Sequence, residues 1–210
     1  VDTSEFLMRP ETVRKLLYVA IAVVLLAAGI YLYFYNENRD FILRSKNIHL
    51  VFIVIEVSIL AMYIAGLYLN VQSRPFALCA LLMLLLINKR SAIFINGVTC
   101  MYMFLADAFL AVAPITELAV YSALVINYTT SLLAIYIVGR VGSRLKVFVT
   151  GFIIAVPIAL SYAVLDFDTF IQKPYQAALD GLWSGMLSVV LMMAMLPFFE
   201  RVFNVLTDYR

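Results

Sequence analysis

Seven apolar segments separated by short polar links constrain this chain more than any other feature. They run over about Leu16–Tyr35, Ile48–Leu69, Pro75–Ile87, Ser91–Val112, Leu118–Val138, Val147–Leu165 and Ala178–Leu196. A bilayer core takes roughly 20 helical residues, with a range of about 17–25. Six segments reach or approach that length. The third is short and needs Val71–Arg74 and Asn88 to cross, with Arg74 and Lys89 snorkelling at its two ends. A re-entrant third segment is the alternative. Composition agrees: 65% of the residues are apolar and 13% charged, against about 45–50% and about 25% in soluble domains. The expected fold is all-α, a polytopic bundle of seven transmembrane helices.

Charge and cysteine usage narrow the function classes. A net charge of +2 offers no footprint for nucleic acid. Cys79 and Cys100 lie inside apolar segments and read as small buried hydrophobes. His49 falls at a membrane boundary and reads as interfacial, so a zinc site is not expected. Val1–Lys15 lacks the short apolar core and small-residue cleavage site of a secretory signal. The chain is expected to continue at both ends, since Val1 is no natural start and no closing signal follows Leu206.

Loop cations set the orientation. With the carboxyl end inside, the inner loops carry Arg39, Arg44, Lys46, Lys89, Arg90, Arg140, Arg144, Lys146, Arg201 and Arg210, ten of the fifteen Lys and Arg. The positive-inside bias then places the amino end outside. The outer loop Asp166–Asp180 holds three Asp and one Lys. Tyr31, Tyr33, Tyr35, Tyr68, Tyr175 and Trp183 lie near segment ends, as expected of a headgroup-level aromatic belt. No internal repeat relates the two halves, which gives an inverted-repeat transporter little support.

Three polar groups are expensive in lipid. Glu56 lies near the middle of the second segment, where a carboxylate costs about 2.5–3.5 kcal/mol on insertion scales. It is expected to face the bundle interior or a watery cavity, or to be protonated. Asp107 sits in the outer half of the fourth segment. Asn127 sits near the centre of the fifth, with Ser131 four residues on and Thr129 and Thr130 between. These residues read either as a ligand or ion site (Glu56, Asp107, Asn127) or as interhelical hydrogen-bond glue, worth about 0.6 kcal/mol per bond on average. Gly181 and Gly185, with Ser184 and Ser188, form a small-xxx-small packing face in the last segment, within the bundle or between protomers of a homodimer. Pro157 and Pro197 are kink candidates. No HExxH, GxSxG or Gly-rich phosphate loop occurs, so no catalytic constellation is expected here.

The carboxyl end carries the sharpest pattern. Phe198, Phe199, Val202, Phe203 and Leu206 are spaced to share one face of an amphipathic exit helix. The run Leu196-Pro197-Phe198-Phe199-Glu200-Arg201-Val202-Phe203-Asn204-Val205-Leu206-Thr207-Asp208-Tyr209-Arg210 resembles the junction of the seven-transmembrane HD phosphohydrolase family, the bacterial PgpH-type cyclic-di-AMP phosphodiesterases. There a pattern close to L-P-x-F-E-x-x-F-x-x-x-T-D-x-R joins the last helix to the HD domain. Pro197, Phe199, Glu200, Phe203, Thr207, Asp208 and Arg210 match it here, after Leu196. Gly181–Gly185, the basic Arg140–Lys146 loop and Asn88–Ala92 resemble the family more loosely.

The resemblance implies an extracytoplasmic juxtamembrane segment at 1–15, a transmembrane domain at 16–197 and a cytoplasmic connector at 198–210 leading to an HD domain. It implies no catalytic residue, cofactor or metal in this segment; divalent metal ions belong to the HD domain. The implied partners are the bilayer and the protein's own extracytoplasmic and HD domains; a homodimer is one reading of the Gly181/Gly185 face and is not part of the resemblance. The expected role is a sensor and signal transducer in the bacterial inner membrane. The other reading is a small-solute or ion transporter using Glu56 and Asn127.

Overall fold

The computed structural model describes residues 10–37, 39–43, 45–109, 117–139, 144–165, 171 and 173–203. Every regular element among them is helical. In chain order these are α1 (Pro10–Glu37), α2 (Arg39–Leu43), α3 (Ser45–Tyr68), a 3₁₀ turn (Val71–Ser73), α4 (Leu78–Leu86), α5 (Lys89–Phe109), α6 (Glu117–Val138), α7 (Arg144–Leu165) and α8 (Pro174–Phe203). Helices satisfy their own backbone groups, which lipid cannot do for them. Five are long and apolar enough to cross a bilayer: Val13–Glu37, Ser45–Tyr68, Lys89–Phe109, Val120–Val138 and Pro174–Phe203. The other two of the seven expected segments are α7 and the Val71–Leu86 stretch.

The third segment departs most from expectation. Its α-helical part, α4, has nine residues and rises only about 14 Å. It sits at the centre of the bundle against α3, α5, α6 and α8. Leu78 to Met83 are each 0–1% exposed, and a helix without a lipid face has no need of a polar one, which explains the sequence LCALLMLLL. The segment is short because Pro75 forbids helix at Arg74. Arg74 takes φ −60°, ψ 143°, the extended geometry that a following proline imposes.

Local signals set the neighbouring ends. Asn88 caps α5: its Oδ1 accepts the Ser91 N–H at 2.8 Å, and its carbonyl accepts the Ala92 N–H at 3.0 Å. Pro174 opens α8 at the first position, where a missing N–H costs nothing. α1 is peripheral. It leans on α5 through Tyr33 stacked on Phe94 at 4.1 Å, the Tyr102 hydroxyl donating to the Val23 carbonyl at 3.2 Å, and Arg90 donating to Glu37 at 2.9 Å.

The most extensive helix contact is between α7 and α8. Gly185 lies against the Gly151 carbonyl, and Gly181 against the Ala155 carbonyl. A Cβ on either glycine would meet backbone, which cannot yield as a side chain can. Ser184 and Ser188, on the same stretch of α8, are fully buried. Small residues let these two backbones approach closely where lipid gives helices no hydrophobic reason to associate. Gly185→Ala and Gly181→Ala should therefore each destabilise the protein by about 1–3 kcal/mol, read as a lower melting temperature in detergent. Gly29, with open space around it, is the control: Gly29→Ala should leave the melting temperature unchanged or raise it.

Candidate functional site: a polar clamp on a broken helix

Between Asn70 and Ala77 the backbone is not α-helical, yet from Ser73 onward it is buried inside the bundle. Irregular backbone at membrane depth is tolerated only where protein or water satisfies it, so each freed group needs an identified partner. The Arg74 carbonyl accepts the Phe76 N–H at 2.8 Å and the Ser184 hydroxyl of α8. The Phe76 carbonyl accepts the Ser131 hydroxyl of α6 at 2.9 Å. Asp180 of α8 accepts from Ser73 Oγ at 2.7 Å and from Asn70 Nδ2 at 3.1 Å. Two helices distant in sequence thus fasten the break from two sides.

The centre of the clamp is an ion pair. Arg74 Nη1 and Nη2 donate to the two Asp107 oxygens at 2.6 and 3.0 Å, a bidentate arrangement that fixes both side chains. The side chains are 6% and 8% exposed. Gly66 of α3 makes room: a Cβ there would sit 2.9 Å from Arg74 Nη2 and closer still to Nε. Beside the pair, Arg74, Asp107 and Asn127 border a cavity of about 10 Å³, the lower limit for a single water. The pair is held by packing and its own hydrogen bonds.

Arg74 therefore does not snorkel. Extended backbone before Pro75 turns its side chain across Gly66 to Asp107. Lys89, the other expected snorkeler, holds its Nζ 3.8 Å from the centre of the Tyr136 ring. Asp107 meets Arg74, and Asn127 lies beside the pair. Ser131 bonds the Phe76 carbonyl, with Asn127 Oδ1 further away at 3.4 Å; Asn127 Nδ2 points at Met62 Sδ, 3.9 Å away. Glu56 is elsewhere. It is exposed on the outer face of α3 and makes no hydrogen bond or ion pair with Asp107 or Asn127 among the described residues, so these three do not form one site. An interior position is denied to Glu56 because Val54, Ile55 and Ser58 occupy the buried side of α3.

Sequence reasoning missed Asn70, Ser73, Gly66 and Asp180 as members of the clamp. Asp180 was assigned to an outer loop, but it belongs to α8 and is 4% exposed. The signals available were the Arg74-Pro75 pair, which disfavours helix, and the single Gly66 inside an apolar helical run. A second cavity lies apart, an apolar groove of about 890 Å³ between α1, α5 and α6, bordered also by Glu37 and Arg90. Among the described residues, only Cys100 and Leu124 border both cavities. No three His, Cys, Asp or Glu side chains converge as metal ligands among the described residues, so no metal step is derived from them.

At the opposite end, α8 continues unbroken through Pro197 to Phe203. Phe199 is 0% exposed and stacks on Phe203 at 6.2 Å, while Phe198 and Val202 face outward. The expected single apolar face is divided: positions 199 and 203, four apart, turn toward the core, and 198 and 202 turn away. Glu200 is half-buried. Thr207, Asp208 and Arg210 lie outside the described residues.

Residues 13–207 match a family model described as a 7TM receptor with intracellular HD hydrolase. The chain belongs to that family. The match spans both the clamp and the exit of α8, so these are parts of a 7TM receptor region whose family carries an HD hydrolase inside the cell. No curated protein and no solved structure matches the chain.

The clamp makes a clear energetic prediction. Asp107→Ala leaves the Arg74 charge unpaired and should cost about 3–5 kcal/mol, whereas the double variant Arg74→Met/Asp107→Leu should recover most of the loss. Ser131→Ala strands one carbonyl and should cost about 1–3 kcal/mol. Denaturation of the purified protein in detergent, arranged as a double-mutant cycle, measures both.

Proposed function

We propose that this chain is the sensing and transmitting membrane domain of a bacterial inner-membrane cyclic-di-AMP phosphodiesterase, with its amino end outside and its carboxyl end in the cytoplasm. The observation that carries the reading is the double role of α8. One end of this 30-residue helix bonds the broken segment through Asp180 and Ser184. The other end carries the buried Phe199 and its stacking partner Phe203. A rod of that length rises about 45 Å, so a shift at the clamp moves the exit. The close α7–α8 contact makes that shift a discrete repacking rather than a bend. The odd number of apolar segments in the sequence and the ten cations that this topology puts on the inner side support the orientation. The Leu196–Arg210 pattern supports the HD partner and its cyclic-di-AMP substrate, with divalent metals in that partner.

In the full-length protein, Asp180→Asn keeps an acceptor for Ser73 but removes the charge. It should change the rate of cyclic-di-AMP hydrolysis by about 5-fold or more, the lower range of allosteric couplings, while Gly29→Ala leaves the rate alone. A folded Asp180→Asn protein hydrolysing at the parent rate refutes transmission through α8. Orientation is tested separately: a membrane-impermeant thiol reagent added outside cells should label Lys173→Cys and spare Arg201→Cys. The opposite pattern refutes the topology.

A further inference from the structure

Glu56 is the twelfth of the 24 residues of α3, close to mid-depth in a helix long and apolar enough to span the bilayer. Its carboxyl group lies on the outer surface of the bundle. Among the described residues it has no hydrogen-bond or ion-pair partner. Water is absent at that depth, and a lone carboxyl group facing lipid is a standing free-energy cost. The group needs a polar partner supplied from outside this chain's own fold.

The surface around Glu56 has a definite pattern. His49, Ile53, Glu56, Leu60, Tyr63 and Leu67 are spaced alternately four and three residues apart. His49, Glu56, Leu60, Tyr63 and Leu67 are exposed, and Ile53 is half-buried. A four–three stripe is the seam of a left-handed helix pair crossing at about 20°. Such a seam is also the common geometry of helix pairs in membranes.

We propose that this stripe is the interface between two copies of the protein, with the Glu56 carboxyl groups hydrogen-bonded to each other across a two-fold axis. The choice of occupant follows from topology. All copies of a membrane protein insert in the same orientation, so a closed pair in one bilayer has its axis along the membrane normal. In an isologous contact the same surface patch is used by both partners. Position 56 then meets position 56 at equal depth, and one carboxyl O–H donates to the other's oxygen. A second copy is thus the one partner certain to present a matching polar group at that height. Leu60 and Tyr63, on the same stripe and exposed, pack beside the pair and exclude lipid, while Ile53, half-buried against the chain's own core, borders it on the other side. The inference does not depend on the transmission reading: the contact holds whether or not α8 conveys a signal.

The test uses full-length protein in lipid vesicles, labelled with one fluorophore per chain and diluted into increasing lipid, with stoichiometry counted by photobleaching steps. Glu56→Leu, which suits a lipid-facing position and should fold, is expected to weaken association about 3- to 20-fold, the range measured for interhelical hydrogen bonds in membranes. Glu56→Gln, whose amides can bond N–H to oxygen in the same place, should retain the dimer. Leu60→Cys should cross-link to its own copy under mild oxidation, while Val125→Cys, exposed on α6, should not. Association unchanged by Glu56→Leu overturns the proposal. So does a Leu60→Cys adduct within one chain or with a different protein, because either assigns the stripe to another occupant.

Discussion

An open stretch of backbone inside a membrane bundle must be closed by groups that the stretch itself does not own. The placing of α3, α5, α6 and α8 follows from that requirement at Arg74–Ala77. Pro75 prevents the helix from forming there, and lipid would offer no donor to the Phe76 carbonyl, at a cost of several kcal/mol, and none to the Arg74 carbonyl beyond the Phe76 N–H. Ser184 and Ser131 supply the missing donors. Because these serines lie on α8 and α6, the positions of both helices become conditions for the stability of the break. The Arg74–Asp107 pair extends the condition to α5, and the close seat of the Arg74 guanidinium against Gly66 extends it to α3. One proline thereby ties four helices to a single locus.

The same locus explains why α4 is central. A nine-residue helix cannot reach both membrane faces, so it gains nothing from a lipid-facing surface and is wrapped by longer neighbours. The burial of Leu78–Met83 is possible because the carbonyls of the connection that leads into α4 are met by Ser184 and Ser131. Removing one partner of the ion pair is far more disruptive than replacing both, since a bidentate pair in a nearly dry setting contributes specificity of position rather than net stability.

α8 carries that locus to the other end of the bundle. Glycines and Ala155 hold it against α7 at backbone contact, a geometry that permits few intermediate positions, and Phe199 anchors its far end in the core. The helix is fastened at the clamp by hydrogen bonds and along its length by shape. Glu56 stands outside this system. Its side chain is exposed on the outer face of α3, away from the buried Val54, Ile55 and Ser58.

The residues alone determined much of this. The apolar runs required helices, because their length and composition suit only lipid. The Gly181/Gly185 spacing identified a face able to approach another backbone, and the Leu196–Arg210 pattern pointed to the family that the match over residues 13–207 establishes. Asn127 and Ser131 could be placed on one helix face by their spacing of four. What no spacing could decide was which side of each helix turns inward. Glu56 and Asp107 looked alike as intramembrane acids, yet one faces out and the other meets Arg74, because that choice depends on neighbours more than thirty residues away. Asp180 looked like a loop charge, and Gly66 like an incidental glycine, until Ser73 and Arg74 were brought against them. Helix formation is a local consequence of backbone and lipid chemistry and can be read along the chain. Pairing of polar groups across helices is a property of the packed bundle, so only the tertiary structure decided it.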